Sequence, residues 1–355
     1  MPEFGHRTLG QRVDFGHGTA ASALRRETDR VKAERMFVIG GRPSLVSRVV
    51  GERDAAATWT EIVEHVPVAT AERARVAADA ARADCLVAIG GGSAVGLAKA
   101  VALETALPII AVPTTFAGSE ATNVWGVTAS NRKTTGVDDR VLPVSVIYDS
   151  ELVAGLPVGI ATASAFNALA HCIDSLWSPH ADPIAAVMAE EAIRSLSDGL
   201  HRVTDRAGDP DGLQALQYGA YLAGVAFASA GSGLHHKICH VLGGTFDLPH
   251  AATHTAVLPH VLAYNLDAAP DARRRLVAAF GDDDPARALD ELLSLTDAPR
   301  ALRDCGLRAD DIPVAAAEIL PVVPVSNPRP VTLESLESLL EAAWSGVSSR
   351  AVSAP

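Results

Sequence analysis

Short apolar runs alternate with helical segments through the first half of the chain and disappear from the second half. This change of texture restricts the fold more than any other feature. Met36-Phe-Val-Ile-Gly-Gly41, Cys85 to Ile89, Pro108 to Val112 and Val144 to Tyr148 each read as a strand buried on both faces. A helix with Thr70 as its N-cap is predicted over Thr70–Arg82, and another follows Ser93 as far as Glu104. Buried strands of this length joined by helices form βαβ units and a mainly parallel sheet. Val124 to Gly136 reads as a hairpin. Beyond Pro157 no buried strand is predicted. Ala/Leu-rich helical patterns cover Ala161–Trp177, Pro183–His201, Gly212–Ala230, Leu234–Leu242 and Pro285–Leu295. The expectation is an α/β domain over 1–153 and an all-helical domain over 154–355.

Composition excludes several classes of function. A chain of 355 residues has length for two domains and a substantial core. Its formal net charge of −12 argues against nucleic acid or an anionic membrane as partner. No apolar run reaches the roughly 18 residues of a spanning helix, and the first residues carry no apolar signal region. Cys85, Cys172, Cys239 and Cys305 are far apart with no Cys-x-x-Cys pair, which excludes a disulfide scaffold and suits a reducing cytoplasm. Only Lys32, Lys99, Lys133 and Lys237 are lysine among 30 basic residues, so Lys133 and Lys237 draw attention as places where a compact ammonium is needed.

Two patterns carry chemistry. Gly90-Gly91-Gly92-Ser93 follows a strand and opens a helix, where bare N–H groups can cradle a pyrophosphate; a tight turn is the plainer reading, but three glycines exceed its needs. Thr114 and Thr115 end the next strand, where a doubly wound sheet presents its ligand. The second pattern is histidine: nine of the twelve lie between His171 and His260. Asn167 and His171, His236 and His240, and His250 and His254 are each four apart. Such pairs share a helix face, and in an apolar domain they are costly unless they line a polar cleft.

These segments resemble the iron-containing alcohol dehydrogenase superfamily. They are Gly90-Gly-Gly-Ser93, Val112-Pro-Thr-Thr115, the Asn167–His171 helix, His236-x-x-x-His240, Pro249-His250 and Asn327-Pro328-Arg329. Thr114 to Thr122, Ala165 to Cys172 and Gly233 to His240 are similar to its maleylacetate reductase branch. The resemblance implies a dehydroquinate synthase-like fold, in which a dinucleotide domain faces a helical metal domain. It implies NADH or NADPH as cofactor, a cytoplasmic homodimer, and no nucleic-acid or membrane partner. The implied substrate is a small dicarboxylate, maleylacetate, reduced at its C=C bond to 3-oxoadipate.

Metal-dependent members hold a divalent ion with one Asp and three His. Here His171, His236 and His250 match the histidines, and Asn167 stands in the Asp position. Loss of the only anionic ligand implies a vestigial site and no bound metal, since iron(II) sites usually include a carboxylate. The resemblance also places His240 near the nicotinamide as acid or organiser, and Lys133 toward the ribose. The remaining histidines and Lys237 are expected to polarise the ketone or hold a carboxylate. Gly41-Arg42 occupies the loop where an acid would favour NAD. Two alternatives are a metal-dependent alcohol or polyol dehydrogenase and an inactive nucleotide-binding regulator. With Arg42 in that loop, both cofactors should be accepted. Arg42→Ala should raise KM for NADPH over that for NADH by up to roughly thirtyfold, about 1–2 kcal/mol. Equal effects on both cofactors, read by steady-state kinetics, would make Arg42 a solvated loop cation.

Overall fold

The computed structural model describes residues 3–51, 55–129 and 132–347, with the side chains of 132 and 133 outside that description. The sheet strands are β1 (Arg12–Gly16), β2 (Met36–Ile39), β3 (Ala57–Trp59), β4 (Cys85–Gly90), β5 (Ile109–Pro113) and β8 (Ser145–Asp149). They pair in the order β1-β8-β5-β4-β2-β3, every pair parallel. Helices α1 (Ala20–Arg30), α2 (Pro43–Val50), α3 (Val68–Ala80) and α4 (Gly92–Thr105) provide crossovers. A separate antiparallel ribbon joins β6 (Val124–Ala129) to β7 (Arg132–Val137).

The apolar runs of β2, β4, β5 and β8 are buried along their lengths, because helices cover both faces of the sheet. The strand order reverses between β2 and β4. Ile39 pairs with Ala88, and Gly90 with Pro113, so Gly40–Arg42, Gly90–Ser93 and Thr114–Thr115 emerge together at the carboxyl ends of the strands. That crevice is where an open α/β sheet receives a ligand.

The helical half begins as the sheet ends. After the short α5 (Ser150–Val153) come α6 (Val158–Ser175), α7 (Pro183–Asp205), α8 (Pro210–Ala230), α9 (Leu234–Thr245) and α10 (His250–Leu266). Then follow α11 (Pro270–Phe280), α12 (Pro285–Ser294), α13 (Ile312–Ile319) and α14 (Leu333–Ser345). The start of α7 shows how sequence sets a helix end. Pro183 takes the first turn, and Asp182 Oδ1 accepts from the amides of Ile184 at 2.8 Å and Ala185 at 3.0 Å. Helix α6 is apolar nearly all round and is enclosed by α7, α8 and α10. A second core joins α9 and α10 to α13 and α14. Among the described residues no helix is long and apolar enough to cross a membrane.

Several expectations are corrected. Helix α3 starts at Val68 behind Pro67, whose φ of −58° presets the turn, and Thr70 is buried inside the helix. Strands β1 and β3 are absent from the sequence reading. They lie at the two sheet edges and are only partly buried, so their apolar pattern is diluted. Helix α10 escapes notice because Pro259 and three histidines interrupt its apolar pattern. The helix predicted over Leu234–Leu242 runs on through Gly243 and Gly244 to Thr245 as α9.

His260 on α10 is buried, and burial pulls its imidazole down to about 4 from the ordinary 6.5. The unfolded chain therefore takes up this proton first. The related stability is full above about pH 6.5 and is lost as pH falls toward 4, amounting to about 3 kcal/mol. Urea unfolding of the wild type and of His260→Leu should show a stability difference that shrinks across that window as pH falls. Parallel curves would mean that His260 carries no proton-linked stability.

Candidate active site

A buried carboxylate builds the histidine site. Asp174 is the only acid in α6, three residues beyond His171, and it is fully enclosed. Its Oδ2 accepts from the amides of Gly233 and His236, each at 3.1 Å, and from His236 Nδ1 at 2.7 Å. Trp177 Nε1 donates to Oδ1 at 3.3 Å. Burial raises the carboxyl above the usual aspartate value, while these donors pull the other way. The acceptor at Nδ1 selects the tautomer of His236 that turns the Nε2 lone pair outward. The carboxylate thus holds both the first turn of α9 and the His236 ring.

His171 lies flat on His236, with ring centroids 4.8 Å apart and planes 11° apart. Phe227 of α8 closes one side, 4.5 Å from His171 and 4.6 Å from His236. Burial, and then the neighbouring His236, hold His171 well below the ordinary imidazole value, so it is a neutral hydrogen-bonding group at pH 7. His240 is half-buried one turn beyond His236, its centroid 6.1 Å away. His250 is the first residue of α10 and sits edge-on to His254 at 4.5 Å. His254 Nδ1 lies 2.7 Å from His235 Nε2 in a pair buried behind the first group. Burial pulls His235 to about 3 and His254 well down, so both are neutral.

The loop after β5 faces these rings. Phe116 N donates to Ser164 Oγ of α6 at 2.7 Å, and Asn167 Nδ2 donates to Ala117 O at 3.5 Å. Asn167 Oδ1 and His171 Nδ1 are buried with no hydrogen-bond partner. Gly118 has φ +74°, and a Cβ there would lie 2.6 Å from Ala220 O and 3.5 Å from His171 Nδ1. A Cβ on Gly224 would lie 2.2 Å from Gly118 O, so both glycines are needed for the loop to touch α8. Beneath the loop, Lys99 Nζ donates to Ser119 O, Thr122 O, Thr122 Oγ1 and Val124 O at 2.6–3.1 Å. Burial lowers its ammonium to about 7, with Glu120 opposing. Burial raises Glu120, which accepts from Tyr148 Oη at 2.7 Å.

The cofactor candidates occupy the crevice edge. Gly91 is the N-cap of α4, and a Cβ there would lie 2.8 Å from Thr115 Cγ2, so only glycine fits. The first amides of α4, from Gly92 and Ser93, receive no side-chain cap. Thr114 is buried, and its amide donates to Gly90 O at 2.9 Å. Gly41 and Arg42 are exposed, and Arg42 is the N-cap of α2. The backbone of Lys133 pairs with Thr128 in the ribbon, but its side chain lies outside the described residues. Lys237 is half-buried on α9, the helix that approaches β7. Arg329 lies over the Tyr264 ring at 4.5 Å.

The set Asn167, His171, His236 and His250 does not fit the family's ferrous ion. The amide of Asn167 brings no charge. Among the described residues, these three histidines do not bring their ligating atoms within 4.8 Å of one another. Among the described residues, the three ligating atoms within 4.8 Å of one another belong to His235, Cys239 and His254. Sequence reading missed Asp174, Lys99, Ser164 and His235. A lone acid in an apolar helix was the available signal for Asp174. The other three are placed by contacts between segments distant in the chain.

Comparison with known proteins agrees with this architecture. A family model described as iron-containing alcohol dehydrogenase matches residues 10–150, and the C-terminal model of the same family matches residues 161–344. The chain belongs to the iron-containing alcohol dehydrogenase family. Within it, a protein named maleylacetate reductase from Sphingobium indicum is 42% identical over 97% of this chain and 98% of its own length. The crystal structure of maleylacetate reductase from Agrobacterium tumefaciens has a TM-score of 0.91 at 37% identity, covering 98% of this chain and 100% of that one. An iron-containing alcohol dehydrogenase from Corynebacterium glutamicum has a TM-score of 0.96 at 52% identity, covering 99% and 100%.

Asp174→Asn replaces the acceptor for three amide or imidazole N–H groups with one that must turn its own N–H₂ toward donors. The expected loss of stability is about 2 kcal/mol, the scale for hydrogen bonds to a buried charge. Denaturant unfolding measures it. An unchanged midpoint would show that Asp174 does not anchor α9.

Proposed function

We propose that this chain reduces the carbon–carbon double bond of maleylacetate to give 3-oxoadipate, using NADH or NADPH and no metal ion, as part of aromatic-compound breakdown. The observation that carries the metal-independent part is Asn167: a neutral amide, with its buried oxygen unpartnered, stands beside neutral His171 where an anionic ligand would be needed. The relatives named maleylacetate reductase support the substrate. The uncapped start of α4 and the Gly91–Thr115 approach suit a cofactor pyrophosphate. When bound, the reduced nicotinamide supplies a hydride to the carbon β to the substrate ketone.

This chain's own residues must then meet negative charge on the ketone oxygen and deliver a proton to the α carbon. Neutral imidazole and amide N–H groups can meet the oxygen, and their fixed positions make them effective as charge develops. His171 does this as a neutral hydrogen-bond donor and not as a cation. His240, at the edge of the cluster, is assigned the proton, with His236 held by Asp174 beside it. The substrate carboxylates then rely on Lys237, backbone amides and neutral donors. We propose a cytoplasmic homodimer as well; the family likeness supports it, and four buried cysteines, none in a disulfide, suit a reducing compartment.

Oxidation of NADH in the presence of maleylacetate, followed by absorbance, tests the reading. Activity should survive EDTA, and His240→Ala should lower kcat by about 10²–10⁴-fold, the range of a general acid. Activity lost in EDTA and restored by iron or zinc would overturn the metal-free mechanism. No turnover of maleylacetate would overturn the substrate.

A further inference from the structure

We infer that His235, Cys239 and His254 form a binding site for zinc or a similar borderline-soft divalent cation, separate from the residues that match the family's iron ligands. The three donors come from two helices. His235 and Cys239 are four apart on α9, hence on one face, and His254 projects from α10. Their ligating atoms lie within 4.8 Å of one another, and each side chain is at most 1% exposed.

The donor chemistry selects the ion. Two imidazoles and a thiol suit zinc or cobalt(II) and reject magnesium and calcium, which take oxygen ligands. The separation of Cys239 Sγ from His235 Nε2 is 3.6 Å, close to the roughly 3.5 Å edge of a tetrahedron with ordinary Zn–S and Zn–N bonds. The two imidazole nitrogens are 2.7 Å apart and share a proton. That proton must move and the rings must part by about half an ångström, since two zinc-bound nitrogens sit roughly 3.3 Å apart. Three protein donors are enough for zinc, with water in the fourth position. His254 Nε2 and His235 Nδ1 have no hydrogen-bond partner, so a ring can turn without breaking a hydrogen bond on its far side.

Charge also balances. Binding converts the Cys239 thiol to a thiolate and releases its proton to solvent. The ion and thiolate leave one positive charge, and the Asp174 carboxylate acts on His235 from nearby. The site therefore adds little uncompensated charge to the interior.

The test uses the full-length protein, stripped with chelator and titrated with cobalt(II) without oxygen. We expect one equivalent bound, with a thiolate-to-cobalt charge-transfer band in the near ultraviolet and tetrahedral bands in the visible. Cys239→Ser should lose the charge-transfer band, whereas His171→Ala should retain it. Zinc should raise the melting temperature of the wild type and not of Cys239→Ser. Circular dichroism of each variant confirms folding, and Cys239→Ala serves if the serine variant is unfolded. Cobalt bound without the thiolate band, a band that survives at Cys239→Ser or vanishes at His171→Ala, or no binding at all would overturn the site. These readouts are spectroscopic and thermal, so they stand apart from the reductase reading.

Discussion

The arrangement of the histidines depends on one buried anion. Asp174 is enclosed by apolar helices and receives four N–H groups, three of them from the start of α9. Leaving that charge unpaired would be costly, so α9 has one favourable position relative to α6. His236 is then locked in orientation and tautomer, and His171 stacks on it. The same pairing brings His235 and Cys239 behind the first rings, toward His254. One carboxylate therefore organises two layers of imidazoles.

The opposite wall of the cleft rests on a buried cation. Lys99 holds the carbonyls of Ser119, Thr122 and Val124, and so fixes the turn that carries Gly118. Gly118 and Gly224 let that turn reach α8 at a distance that no side chain would permit. The sheet domain and the helices are thus joined through polar contacts at the site itself. Scarcity of lysine turned attention to Lys133 and Lys237, but the lysine with the most defined structural duty is Lys99.

Burial changes what the histidines can do. A histidine-rich cleft suggests cations for an anionic substrate, yet His171, His235 and His254 are held neutral by burial in the helical core. Neutral rings offer directed N–H groups and lone pairs rather than charge. Asn167, a neutral amide with its oxygen buried and unpartnered, adds no charge to this group.

Much of this was legible in the chain. Buried apolar runs at Cys85–Ile89 and Pro108–Val112 require a covered parallel sheet, and Gly90–Ser93 marks a turn from strand to helix with its backbone bare of side chains. The i,i+4 pairs at Asn167/His171 and His236/His240 follow from helix periodicity alone. These features are local, so neighbouring residues determine them. What the sequence could not determine was which distant groups meet: Asp174 with His236, Lys99 with the loop at Ser119, His235 with His254. Nor could it show that His171 is neutral, because a pKa depends on the solvent removed by residues far away in the chain. Periodicity placed each side chain on its face, and only the packing of α6, α8, α9 and α10 decided what each face would touch.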